Sequence, residues 1–225
     1  MLKVYRDWNF PETQFINEKT FKWQIVLHHT VSGDGVDGDV AWWLSTPDRI
    51  ATSFIIAMDG KLHKCFSYDC WGYHIGCRQA HFEAMGLPFI CLDKFSIGIE
   101  LDSWGPLLKH TDGKFYPITT MNGKQVPNTT TKPVRNIYEY CTSQQYKGHQ
   151  YYERYTTNQL STLGELLEYL MAKHSIQANY RSDIWNPSRR AMTGEEGIFS
   201  HTSFRPDKSD AHPQAELVNL LKSLQ

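Results

Sequence analysis

Four short runs of apolar and β-branched residues punctuate the chain: Gln24–Leu27, Ser53–Met58, Phe95–Leu101 and, more weakly, Gly197–Ser200. Each is bounded by turn-forming residues, and runs of this length predict strands of a sheet buried on at least one face. Asp59-Gly60 predicts a tight turn after the second run, with Lys61–Phe66 returning as its partner strand. Between these runs the apolar period becomes helical. In Thr157–His174, Leu160, Leu163, Leu167, Leu170 and Met171 form one stripe, and Thr156 and Gln159 have capping-box spacing. Pro213–Leu224 repeats the pattern with Leu217, Leu220, Leu221 and Leu224, and Asp39–Leu44 is a shorter candidate helix. Strands interspersed with helices predict an α/β (α+β) fold in one domain, residues 1–225.

Trp104 to Arg154 breaks the pattern. Gly105-Pro106, Asp112-Gly113, Asn122-Gly123, Pro127 and Pro133 crowd a stretch of poor apolar periodicity. It predicts a loop-rich insertion at about 105–155, with short hairpins on the domain rim. Loops of that length in a compact domain are usually lids or binding loops.

Composition narrows the class. Hydrophobic residues are 40% and charged residues 21% of 225, an ordinary globular balance. Lys+Arg 23 against Asp+Glu 24 gives a net charge of -1, so no global field draws in nucleic acid or an anionic membrane. No apolar run reaches the ~18 residues of a membrane span, and Met1–Trp8 has no apolar core of a secretory signal. The expectation is a monomer made in the cytoplasm, without membrane insertion. The five cysteines include no CxxC pair, which favours reduced thiols. A bridge among Cys65, Cys70 and Cys77 stays open.

Four places could carry chemistry. His28-His29-Thr30 follows an apolar strand, where a side chain faces a cleft mouth. His201 to Pro213 holds His201, Lys208, Asp210 and His212 within one loop. With His28 this loop completes two imidazoles and a carboxylate, a set suited to catalytic zinc with a fourth position open. Glu100 sits among Ile97, Ile99 and Leu101. Alternation puts it on one face with Gly98 and Asp102, and that face is either wet or desolvated. If desolvated, the carboxyl rises toward the range of general acid–base work. Trp71-Gly72-Tyr73-His74-Ile75-Gly76 is either a ligand-approaching loop or a tight turn with packed aromatics.

IVLHHT, the ATSFIIAMDGKL hairpin, WGYHIG, IGIEL and the terminal H…RPDKSDAHP together resemble the zinc-dependent N-acetylmuramoyl-L-alanine amidases. That family includes phage lysozyme-type endolysins and cell-wall recycling amidases, and the peptidoglycan recognition proteins share its fold. The resemblance covers roughly residues 22–104 and 156–224. It implies a central mixed sheet flanked by helices, one Zn2+ per chain held by His28, His201 and Asp210, and peptidoglycan as substrate. It further implies Glu100 as the group that activates water, Lys208 as the stabiliser of developing negative charge, and His74 as a loop residue near the substrate. Thr52 stands where some phage-type members carry a catalytic Tyr, and Ser53 where the family has a His. Thr52 and Trp71 are grouped with His74 as candidate substrate contacts. The remaining histidines, His29, His63, His81, His110, His149, His174 and His212, are expected to be structural or exposed.

The implied activity is hydrolysis of the lactyl amide between N-acetylmuramic acid and L-alanine. The implied setting is a phage-type endolysin acting on the wall after release by a separate membrane-permeabilising protein, or carried in a virion. Two alternatives remain at this point: a non-catalytic peptidoglycan-binding module of the same fold, and an intracellular enzyme recycling soluble muropeptides.

Overall fold

The structure, a computed structural model, describes residues 2–33 and 35–225. Its main sheet has six strands: β1 (Val4–Asp7), β2 (Gln24–His29), β3 (Phe54–Ile56), β4 (Leu62–Lys64), β5 (Ser96–Leu101) and β11 (Gly197–Ser200), in the order β1-β4-β3-β5-β2-β11. Only the β3–β4 pair is antiparallel, the hairpin expected around Asp59-Gly60. The centre, β3-β5-β2-β11, is parallel and fully buried, which explains why its sequences read as continuous apolar runs.

Register decides what shares a face. In the β2–β5 pair Val26 lies beside Gly98 and His28 beside Glu100, and β3 brings Ile55 beside Glu100. In β11, Phe199 pairs with Val26 and Ser200 with Leu27, so the next residue, His201, falls level with His28. Side chains alternate along a strand, so His28, Gly98, Glu100 and Ile55 point to one side. The other side carries Ile97, Ile99 and Leu101 against helix α4 (Thr157–His174) and helix α6 (Ala215–Ser223) in the main core. Helix α1 (Val36–Ser45) packs Val36, Val40 and Trp43 with Ile55, Phe10, Phe15 and Phe66 in a second cluster. Short helices α2 (Gln79–Glu83), α3 (Leu92–Phe95) and α5 (Arg189–Met192) fill the connections.

The bounds of α4 match the expectation, and Thr156 and Gln159 form the capping box. Several expectations shift. His28 and His29 lie inside β2 rather than beyond it, because β5 continues to pair with them. Helix α1 begins three residues before Asp39, and α6 begins two residues after Pro213. Phe95 closes a turn of helix, so the strand opens at Ser96. All five cysteines are free.

The largest correction concerns the insertion. The expected hairpins are present, but they join into a five-stranded antiparallel sheet: β6 (Pro106–Lys109), β7 (Phe115–Met121), β8 (Lys124–Pro127), β9 (Ile137–Glu139) and β10 (Tyr151–Glu153), in the order β8-β7-β6-β10-β9. Its strands are short and mostly half-exposed, so burial leaves no alternation to read. Among the described residues no helix is long and apolar enough to cross a membrane.

Candidate active site

At the ends of β2 and β11 three donor atoms converge. His28 Nδ1 lies 3.0 Å from His201 Nδ1 and 3.2 Å from Asp210 Oδ2, and His201 Nδ1 lies 2.8 Å from the same oxygen. All three residues are buried. Outer hydrogen bonds fix the protons. His201 donates from Nε2 to the Ile75 carbonyl at 2.9 Å, so in the singly protonated ring Nδ1 is the nitrogen that presents a lone pair. His28 Nε2 meets His74 Nδ1 at 2.9 Å, and His74 Nε2 meets Ser96 Oγ at 2.9 Å. With the Ser96 hydroxyl turned to the Asp93 carbonyl, each imidazole donates outward, and His28 Nδ1 also presents a lone pair. Three acceptors facing one another at 2.8–3.2 Å make an environment for a cation. The spacings approach the ~3.3 Å edge of a tetrahedron with ~2.0 Å bonds.

The charges agree with this. Burial, then the proximity of His201, lowers His28 to about 4, which favours the neutral ring. Burial pushes Asp210 upward, but a proton on the facing Nδ1 of His201 or His28, taken up while no cation is bound, more than reverses it, and the carboxyl is held well below its usual range.

His28, His74, His201 and Asp210 line a cleft of about 320 Å³ together with Asp39, Trp42, Tyr73, Glu100, Arg205 and Lys208. Glu100 Oε2 is buried with no hydrogen-bond partner. Burial, followed by the charges of Asp210 and Asp39, raises this carboxyl well above its ordinary value. The open choice of face is thereby resolved: Glu100 stands on the face of His28 and is desolvated. Arg205 is engaged by Asp207 at 2.6 Å, whereas Lys208 forms no ion pair among the described residues. A larger hollow of about 600 Å³ beside Trp104, Lys132 and Arg135 contains none of the three convergent donors.

The candidate substrate contacts separate. His74 lines the cleft, but both of its nitrogens are occupied, by His28 and Ser96. Its ring lies over Gly98, where a Cβ would come within 2.9 Å of it; glycine at that position lets the ring reach His28. Thr52 is fully buried and bonds the Phe54 carbonyl at 3.0 Å. Trp71 donates to Glu18 at 3.2 Å and bridges to Ile16. Neither lines the cleft.

Sequence reasoning missed Asp39 and Trp42, and gave Tyr73 and Arg205 no separate role within the motifs that contain them. It also missed how the insertion supports the ligand loop. His212, two residues after Asp210, is sandwiched between Tyr152 and Tyr155 with ring centroids 4.5 Å from each. It donates from Nε2 to the Glu153 carbonyl at 3.2 Å and pairs through Nδ1 with the Tyr140 hydroxyl at 3.0 Å. The Tyr155 hydroxyl accepts the His212 N–H at 3.1 Å and meets His29 Nδ1 at 3.0 Å. The Tyr146 hydroxyl reaches Thr202 Oγ1 at 2.9 Å, one residue from His201.

A buried His-His-Asp donor set with a free carboxyl and an ammonium in the same cleft is the equipment of a hydrolase that works with a metal. A family model described as N-acetylmuramoyl-L-alanine amidase matches residues 21–213, and the chain belongs to this family. It therefore has the family's amidase activity, directed at peptidoglycan. Solved structures agree on the fold. PlyL is 10% identical with a TM-score of 0.53, covering 99% of each chain. A selenomethionine derivative of AmpD is 16% identical at 0.52, covering 98% of this chain and 96% of that one. The catalytic domain of XlyA is 13% identical at 0.51, covering 98% of each. No match was found among curated proteins.

Proposed function

We propose that the protein is a zinc-dependent amidase of endolysin type that cleaves the lactyl amide between N-acetylmuramic acid and L-alanine in peptidoglycan. The observation that carries this reading is the convergence of His28 Nδ1, His201 Nδ1 and Asp210 Oδ2 beside the unpartnered Oε2 of Glu100. His28, His201 and Asp210 would hold the zinc, which when bound acidifies water and polarises the scissile carbonyl. His74 and the Ile75 carbonyl keep both imidazoles in the ligating tautomer. Glu100, with its carboxyl raised by burial, takes the proton of the attacking water on Oε2 and returns it to the departing L-alanine nitrogen. Lys208 places an ammonium in the same cleft, where it offsets the negative charge growing on the carbonyl oxygen. A binding module would need neither a buried free carboxyl nor three converging donors. Trp42 and Tyr73 stand exposed at the cleft, suited to stacking on sugar faces of a polymer.

The test is hydrolysis of purified peptidoglycan by the zinc-loaded protein. New amino groups on L-alanine should appear without new reducing ends, chelation should abolish release, and zinc should restore it. Reducing ends would indicate glycosidase chemistry. Tight binding of sacculi with no released amine would leave only a binding module.

A further inference from the structure

Helix α1 carries two acids in its first turn, Asp37 and Asp39. Asp37 is exposed and pairs with Arg6 at 3.0 Å. Asp39 lies on the inward face with Val36, Val40 and Trp43 and is only 8% exposed. A carboxyl on the core face of a helix destabilises the fold unless its oxygens are bonded. Ser32 bonds this carboxyl, though the Ser32 hydroxyl also reaches Thr30 Oγ1 at 3.0 Å. Asp39 Oδ2 is buried and has no hydrogen-bond partner. Burial pushes the group up to about 6, and the contact with Ser32 still leaves Oδ2 without a partner. Its helix-face companions are apolar, and packing alone would be served as well by Leu or Ala. What distinguishes the position is the cleft: Asp39 lines it together with Glu100, Lys208 and the three convergent donors. An ionised carboxylate only accepts hydrogen bonds, so its missing partner is an N–H or O–H.

We propose that Asp39 is a substrate-binding residue of this amidase, its Oδ2 accepting a hydrogen bond from an N–H or O–H of the muramoyl-peptide at the α1 wall of the cleft. The inference rests on the amidase reading and adds a substrate contact that the metal site does not itself require. The substrate offers both kinds of donor, amide N–H groups in the stem peptide and hydroxyls on the sugar. The unsatisfied oxygen is completed only in the complex, so stability given up in the free protein is recovered as affinity.

The experiment compares Asp39→Ala and Asp39→Asn, both zinc-loaded, with the parent protein. Calorimetry measures binding of a soluble N-acetylmuramoyl-tripeptide in a Glu100→Gln background, and kcat/KM is measured with Glu100 intact. Both affinity and kcat/KM should fall roughly 10- to 100-fold in Asp39→Ala, the scale of one charged hydrogen bond. Zinc content should hold, and the thermal midpoint should stay level or rise. Affinity within twofold of the parent would overturn the proposal, as would a lowered midpoint with loss of zinc, the mark of a purely structural acid. A lactoyl-tripeptide lacking the sugar locates the donor: a defect that persists puts it in the peptide, and one that disappears puts it in the sugar, either supporting the contact. If the parent binds the muropeptide but releases no amine, the amidase reading fails, while the affinity comparison still decides the role of Asp39.

Discussion

Replacing His74 by alanine tests whether the cleft is organised from behind. In the structure His74 spends one ring nitrogen on His28 Nε2 and the other on Ser96 Oγ, both at 2.9 Å. Alanine removes the group that orients the His28 ring and sets its proton on Nε2. Losing such an outer partner typically lowers metal affinity about 10- to 100-fold, which is about 1.4–2.7 kcal/mol. The buried Ser96 hydroxyl would be left with only the Asp93 carbonyl at 3.5 Å, adding roughly 1–3 kcal/mol of lost stability. Gly98→Ala approaches the same ring without altering its chemistry, because the new methyl would sit 2.9 Å from it and 2.8 Å from Thr52 Cγ2. Competition with a chromophoric chelator reads zinc affinity directly. Both variants should weaken zinc while the substrate KM of fully loaded protein changes little. Zinc affinity within twofold of wild type in His74→Ala, accompanied by a raised KM, would refute this reasoning and make His74 a substrate contact.

Glu100→Gln should retain zinc and lose roughly two to four orders of magnitude in turnover, the scale of a general acid–base group; wild-type turnover would move the proton transfer elsewhere. Lys22 supplies a pH dependence away from the cleft. It is buried and donates to the Lys94 carbonyl at 2.9 Å, and desolvation lowers it from 10.5 to about 8. Between those values the unfolded chain binds the proton that the folded protein has released, so this group makes stability rise with pH from about 8 to about 10.5. Urea titrations of Lys22→Met and wild type should therefore differ most below pH 8, with the variant favoured, and converge toward pH 10.5. A gap independent of pH would contradict the shift.

Much of the scaffold was legible because burial enforces a pattern. The leucine stripe and the Thr156–Gln159 cap gave α4 its bounds, and the apolar runs gave the parallel centre of the sheet. His28, His201, Asp210, Glu100 and Lys208 could be singled out because each is polar next to an apolar run or within one compact loop, and the structure draws all five to one cleft. Which face Glu100 occupies needed register, which alternation within one strand cannot supply. Asp39 was recoverable in principle, as an acid three residues after Val36 on the stripe completed by Val40 and Trp43, but a six-residue helix estimate began at that very residue and hid the stripe. The second sheet was hidden for another reason: β6 to β10 are held by backbone pairing and by aromatic contacts distant in sequence, such as Tyr152 with His212. Thr52 and Trp71 were placed near the substrate by motif position, but their hydrogen bonds go to the Phe54 carbonyl and to Glu18, and neither residue lines the cleft.

The sandwich of His212 between Tyr152 and Tyr155 also sets where this protein can be cut and recombined. The ring belongs to the loop that carries Lys208 and Asp210, whereas the tyrosines belong to the end of the insertion and the approach to α4. A chimera that imported residues 105–155 into another amidase would bring half of a joint without its counterpart. The exchangeable module is thus discontinuous: the insertion together with residues 201–213. Crossovers between those two segments should be rare in any library of active recombinants, even though the intervening chain, dominated by α4, forms a helix with its own cap.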